Sequence, residues 1–266
     1  MKRPFTCVLL TATVTLTALA QDWARARLEN SPRHLEWVKV KHGAREVNCF
    51  LAFPEVKDKA TAVVLIHEIF GLTDWVRGVA DQLAEAGYIA IAPDLLSGAA
   101  PGGGGTAELG SGDAVRKAIA TLPPDQITAD LRAVVAHVAA LPACNGKVAV
   151  AGFCWGGSET FRFATNAREP KAFFVFYGSG PSAEAELARV QAPVYGFYGG
   201  NDARVNATIP ATTEAMKKLS KHFEPVIYDG AGHGFMRAGE APDASEANRK
   251  ARAEAWIRWK SLLRSL

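Results

Sequence analysis

Cys154 stands in the run Gly152-Phe153-Cys154-Trp155-Gly156-Gly157, directly after a short apolar stretch and before a helix-forming one. A side chain on a tight strand-to-helix turn is forced up and out over the helix N-terminus. Glycines two places before and after it are needed there, because a Cβ at either would collide with the turning backbone. The helix N-terminus favours negative charge, so it lowers a thiol pKa and stabilises an oxyanion. Taken alone, the motif also fits a buried structural cysteine beside a glycine-rich bend. A nucleophile needs a base, and the base needs an orienting acid. Asp202, in Gly199-Gly200-Asn201-Asp202, follows Cys154 by 48 residues, and His233, in Gly230-Ala231-Gly232-His233-Gly234-Phe235, follows Asp202 by 31. Asp202 alone reads as a turn or cap, and His233 alone as a loop histidine. Three such residues, each just past a strand-like run, read as a triad for acyl transfer.

The elements that would position these groups are legible in the periodicities. Residues 35–40 and 46–53 alternate apolar and polar side chains, which predicts an antiparallel pair at a sheet edge. Residues 61–67 (TAVVLIH) form a run rich in Val, Leu and Ile, the pattern of a strand buried on both faces. Similar runs recur at 88–93, 147–153, 171–177, 193–198 and 224–228. Between them, 73–86, 126–141, 158–166, 209–222 and 244–263 carry apolar residues at helical spacing, such as Ile127, Leu131, Val134, Val138 and Leu141. Buried strands alternating with amphipathic helices predict an α/β fold, a mostly parallel sheet with helices on both faces. One domain over 21–266 accounts for the whole pattern. The glycine-rich segment 98–112 (GAAPGGGGTAELGSG) follows a predicted strand and reads as a lid or rim over a site. It lacks G-x-x-x-x-G-K-[ST] and is not expected to open a helix, so it is not read as a phosphate loop.

Composition narrows the functional classes. The chain has 266 residues, 48% hydrophobic and 21% charged, with a formal net charge of +3. These values exclude disorder, and there is no Gly-X-Y period or heptad run. Lys2 and Arg3 precede the uncharged run 5–19, and Ala18-Leu19-Ala20 is a small-x-small cleavage signal. That layout predicts a secretory signal peptide over 1–20 and a periplasmic or secreted protein. The run is short for a membrane span, so no membrane contact is expected after cleavage. Residues 1–20 hold two of the 30 bases and none of the 27 acids, which leaves 28 bases against 27 acids, a net charge of +1. No footprint for nucleic acid remains. Cys49, Cys144 and Cys154 survive cleavage, an odd number, so at least one is free or pairs between chains; a Cys49–Cys144 bridge would leave Cys154 over.

The order nucleophile, acid, histidine at strand ends is that of α/β-hydrolases, and the chain resembles one branch of that fold, the dienelactone hydrolase family. The resemblance rests on HEIFGL at 67–72, APDLL at 92–96, NGKVAVAGFCWGG at 145–157, GGND at 199–202 and GAGHGFMR at 230–237. It implies a Cys154–His233–Asp202 triad that opens small lactones or esters through an acyl-enzyme, with no cofactor and no metal. It also implies that Glu68 serves in activating the thiol, although a lone carboxylate there would read as an ion-pair partner. The oxyanion hole would be the backbone N–H groups of Ile69 and Trp155, and Arg237 would bind a substrate carboxylate. His67 and Glu68 do not form H-E-x-x-H, which excludes that zinc-protease motif. The family's second arginine, after its P-D-L segment, has no counterpart near Gly98; Arg77 and Arg204 are the candidate substitutes. A monomer acting on a small ester or lactone is expected. The alternatives are a promiscuous small-ester hydrolase and a non-catalytic binding domain of the same fold.

Overall fold

Strand residues alternate between two apolar cores, which is why their sequences read as continuous hydrophobic runs. The computed structural model describes residues 22–266, so the signal peptide read in 1–20 lies outside the described residues. Eight strands form one sheet: β1 (Leu35–His42), β2 (Arg45–Ala52), β3 (Ala60–Ile66), β4 (Ile89–Pro93), β5 (Cys144–Phe153), β6 (Phe173–Phe176), β7 (Val194–Gly199) and β8 (Phe223–Tyr228). Their order is β1-β2-β4-β3-β5-β6-β7-β8. β1 and β2 form the expected antiparallel edge pair, β2 runs antiparallel to β4, and β3 to β8 are mutually parallel.

The helices are α1 (Asp22–Glu29), α2 (Asp74–Glu85), α3 (Gly112–Ala120), α4 (Pro124–Ala139), α5 (Trp155–Ala164), α6 (Glu184–Leu187), α7 (Ala203–Asn206), α8 (Ile209–Lys218), α9 (Phe235–Ala238) and α10 (Glu246–Arg264). Val63 and Leu65 of β3 face the core shared with α2 and α10, while Ala62, Val64 and Ile66 face α4 and α5. That is the period of two expected of a strand covered on both sides. α2 leaves β3 toward one face and α5 leaves β5 toward the other. The carboxyl ends of these neighbouring strands therefore form a crevice where the connections diverge, the usual place for a ligand in such a sheet. Among the described residues, no helix is long and apolar enough to cross a membrane.

Two expectations need correction. Segment 98–112 is not loop throughout: Pro101–Gly103 forms a short 3₁₀ turn, and Gly112 does open a helix, α3. The Ser111 hydroxyl accepts the Ala114 N–H as its N-cap, and Val115 and Ile119 bury the helix's apolar side, which outweighs the low helix propensity of glycine. Helix α5 begins at Trp155, three residues before the expected start, because the turn at Cys154 feeds it directly. The Cys49–Cys144 bridge considered above does not form: Cys49, Cys144 and Cys154 are all unbridged. Cys49 lies on β2 and Cys144 on β5, with β4 and β3 between them. At about 4.8 Å per strand, that separation is beyond disulfide reach.

Candidate active site

Cys154 ends β5 with φ 57° and ψ −116°, a strained conformation for a residue with a side chain. Its N–H bonds to the Phe176 carbonyl at 3.0 Å, and its carbonyl accepts Ser158 N–H at 3.2 Å as α5 begins. A Cβ on Gly152 would collide with the Gly156 carbonyl, and one on Gly156 with the carbonyls of Ile66 and His67. The glycine requirement read from the motif therefore has a physical cause. The first turn of α5 lies against the backbone at the end of β3.

His233 is carried on the β8–α9 loop, where the Asn248 side chain of α10 accepts the Gly232 N–H at 2.9 Å. Its Nε2 lies 3.1 Å from Cys154 Sγ, and its Nδ1 lies 2.5 Å from Asp202 Oδ2. Asp202 is buried and caps α7 through Val205 N–H. The hydrogen bond to Cys154, then that to Asp202, outweigh burial and push the His233 pKa up to about 9.

Glu68 follows β3 and has a side chain only 3% exposed. Arg237, on α9 one turn past His233, donates from Nε to its Oε2 at 2.7 Å. Burial pushes the Glu68 pKa up, against the opposing pull of the Arg237 charge. The Arg237 guanidinium also lies over the ring of half-exposed Phe70, 5.3 Å from its centroid. The ion-pair reading of an isolated Glu68 thus holds for the free protein.

Trp155 directly follows Cys154, and Ile69 follows Glu68 in the loop after β3. Among the described residues, neither N–H has a backbone acceptor, so both remain available as donors. Ile69 and Trp155 pack against Leu96, Val115 and Ile119. Segment 98–112 reaches this wall through Thr106, whose hydroxyl accepts Leu72 N–H at 3.0 Å and donates to Asp94 at 2.8 Å. The segment braces the loop after β3 as well as forming a rim.

Arg77 does not serve as a second carboxylate clamp: it pairs with Asp74 and lies against Trp37 and Phe50. Arg204 is exposed on α7 and pairs with no acid among the described residues. The guanidinium nearest Gly98 is that of Arg45, held by Asp130 at 2.8 and 2.9 Å and by the Ser97 and Leu95 carbonyls. Arg237 pairs with Glu68 close to His233.

Three groups escaped the sequence reading. His67 is fully buried beside Glu68, and Tyr177 is buried with φ 43° and its ring 5.2 Å from that of His233. Thr106 is the third. The glycine motifs gave no signal for any of them.

The dienelactone hydrolase family model matches residues 47–266. This chain belongs to the dienelactone hydrolase family. A Salmonella typhimurium relative named "Putative carboxymethylenebutenolidase" is 31% identical over 231 residues, 80% of this chain and 82% of that protein. One of the same name from Saccharolobus solfataricus is 29% identical over 252 residues, covering 82% and 94%. Among solved structures, one titled as a dienelactone hydrolase from Klebsiella pneumoniae superimposes with a TM-score of 0.76 at 24% identity, over 88% of this chain and 99% of that one. A dienelactone hydrolase-like promiscuous phosphotriesterase from metagenomic libraries gives 0.73 at 21% identity, over 88% and 98%. At those identities the two structures bear on the fold alone, and they share the α/β-hydrolase architecture built here.

Proposed function

We propose that this member of the family opens small lactones or esters through an acyl-enzyme on Cys154. The observation that carries the reading is the unbroken chain Cys154 Sγ–His233–Asp202, with contacts of 3.1 and 2.5 Å. Protonated His233 cannot take the thiol proton, so that task falls to Glu68, whose burial makes it a stronger base than an ordinary carboxylate. In the free protein Arg237 holds Glu68. A substrate carboxylate competes for the same guanidinium and frees Glu68 to accept the Cys154 proton. The thiolate then attacks the carbonyl carbon, and the Ile69 and Trp155 N–H groups receive the developing oxyanion. His233 gives its Nε2 proton to the leaving alkoxide. Now neutral, it takes a proton from the water that attacks the thioester, while Asp202 holds its ring in place. The sulfur departs as thiolate and takes back the proton held by Glu68, the carboxylic acid product leaves, and the thiol, the Glu68 carboxylate and the imidazolium are restored.

The relatives' name, carboxymethylenebutenolidase, makes a carboxylate-bearing dienelactone the leading substrate. Small neutral esters are the second reading, favoured by the single available arginine. The test is turnover of dienelactone and of a neutral ester of similar size by the chain and by Cys154→Ala. Loss of both activities in Cys154→Ala supports the nucleophile, and full esterase activity there would sink the assignment. Residues 1–20 are read as an export signal, checked by whether the mature chain isolated from the periplasm or medium begins at Gln21. The mature chain is read as a monomer, checked by light scattering.

A further inference from the structure

His67 is an ionisable residue with no part in the reaction just described, and its surroundings give it one. It ends β3 with no exposed surface. Its Nδ1 lies 2.9 Å from the Glu68 carbonyl oxygen, so Nδ1 carries the hydrogen and donates it. Among the described residues its Nε2 has no hydrogen-bond partner. The ring stacks on the Trp155 indole, with centroids 5.3 Å apart and planes 21° from parallel. Burial lowers the His67 pKa, which keeps the ring neutral and Nε2 an unpaired acceptor. Burying that nitrogen is unfavourable, and an apolar side chain would avoid the penalty. What an apolar side chain cannot supply is the Nδ1–H.

The carbonyl it reaches belongs to the same planar peptide unit as the Ile69 N–H. Fixing the oxygen at one end of that unit fixes the direction of the N–H at the other. Gly71 N–H holds the same oxygen at 3.1 Å, so two donors pin one peptide. The stacked face of His67 meanwhile backs Trp155, whose own N–H is the second proposed donor. We propose that His67 is a positioning residue for one half of the oxyanion hole: its Nδ1–H orients the Glu68–Ile69 peptide and so aims the Ile69 N–H. The inference rests on the acyl-enzyme reading above.

The test compares His67→Asn with His67→Leu on a neutral ester, beside Cys154→Ala. Asparagine and leucine have nearly the same shape, and the Asn amide places an N–H close to where Nδ1–H stood. Misaiming one oxyanion donor is expected to lower kcat by about 10- to 100-fold in the Leu variant, with KM within about threefold. The Asn variant is expected to recover most of kcat. Alkylation of Cys154 by iodoacetamide should proceed at one rate in wild type and both variants, which separates a misaimed donor from a damaged thiol. Should the Leu variant not fold, His67→Phe serves as the donor-free comparison and keeps the ring. Equal kcat in the Asn variant and the donor-free variant, with Cys154→Ala inactive, overturns the role of His67 and leaves the nucleophile standing. Turnover that persists in Cys154→Ala overturns the reading beneath it.

Discussion

Replacing Arg237 with methionine isolates the energetics of the ion pair that restrains the site. The Glu68 side chain is 3% exposed and that of Arg237 is 32% exposed, with 2.7 Å between Nε and Oε2. Stranding a fully buried charge by removing its partner costs about 3–5 kcal/mol. Solvent screens the exposed third of Arg237, so the expected loss for R237M at pH 8 is smaller, about 2–3 kcal/mol. For a chain of this size that lowers Tm by roughly 4–10 °C. The loss depends on pH in a defined direction. Burial already holds the Glu68 pKa above its ordinary value, and Arg237 supplies the interactions that pull it down. Without Arg237 the pKa rises further. A carboxyl whose folded pKa exceeds its unfolded one destabilises the fold only when ionised. R237M should therefore approach wild type as pH falls to about 4, the unfolded value for Glu, and fall away from it as pH rises.

Urea unfolding at pH 5 and pH 8 of wild type, R237M, E68Q and the double variant measures this directly. The double variant removes both charges, so it should recover most of the stability that R237M loses at pH 8, a coupling of about 2 kcal/mol. The reasoning fails if R237M loses the same amount at both pH values, or if the double variant is no more stable than R237M.

Three further outcomes follow from the same site. Tyr177 Oη is buried with no hydrogen-bond partner among the described residues, so Tyr177→Phe should raise stability by about 1 kcal/mol in urea unfolding; a loss of that size would reveal a bond to the hydroxyl. The His233 pKa near 9 owes most to its hydrogen bond with Cys154, so in Cys154→Ala an NMR titration should move it down toward the ordinary histidine value of about 6.5. The stability from this raised pKa is complete below about pH 6.5 and is lost as pH rises through about 9; a decline of the same size in Cys154→Ala would argue against the Sγ contact as its source. Cys49 and Cys144 are 0% and 4% exposed while Cys154 reaches solvent, so iodoacetamide followed by peptide mapping should show Cys154 labelled well before Cys49 or Cys144 in the native protein.

The three residues of the proposed triad were legible because each carries a local signal: a strand before it and glycines around it. The sheet was legible for a similar reason, since strands buried on both faces leave unbroken apolar runs. Groups whose role arises from distant partners left no such mark. Glu68 and Arg237 are 169 residues apart, and only the fold shows that each neutralises the other. Arg45 near Gly98 is a comparable case, because nothing local in Arg45 announces Asp130, 85 residues on. Helix α1 was missed because half of its eight residues are charged and Ala24 is its one fully buried side chain. Helix α3 was hidden by the glycines ahead of it, although Ser111 marks its start.

The site divides into a part held rigid and a part free to switch. Cys154 and Tyr177 both adopt positive φ at the ends of the adjacent strands β5 and β6. Conformations of this kind persist only where surrounding structure over-determines them. Here the sheet does so: Cys154 N–H bonds to Phe176 at 3.0 Å and Tyr177 N–H bonds to Phe197 at 2.8 Å, continuing the ladders one step past the strands. Beneath them Phe153 stacks on Phe176, and Phe176 on Phe197, with centroids 4.9 and 4.3 Å apart. Displacing the thiol would require breaking those bonds and unstacking that layer. The Glu68–Arg237 pair has no comparable anchor on its outer side, where Arg237 meets solvent and the face of Phe70. In the reaction proposed above, an anionic substrate would exchange one guanidinium partner for another without disturbing the frame around Cys154. On that reading, what changes on binding is the partner of a carboxylate and not the position of the sulfur.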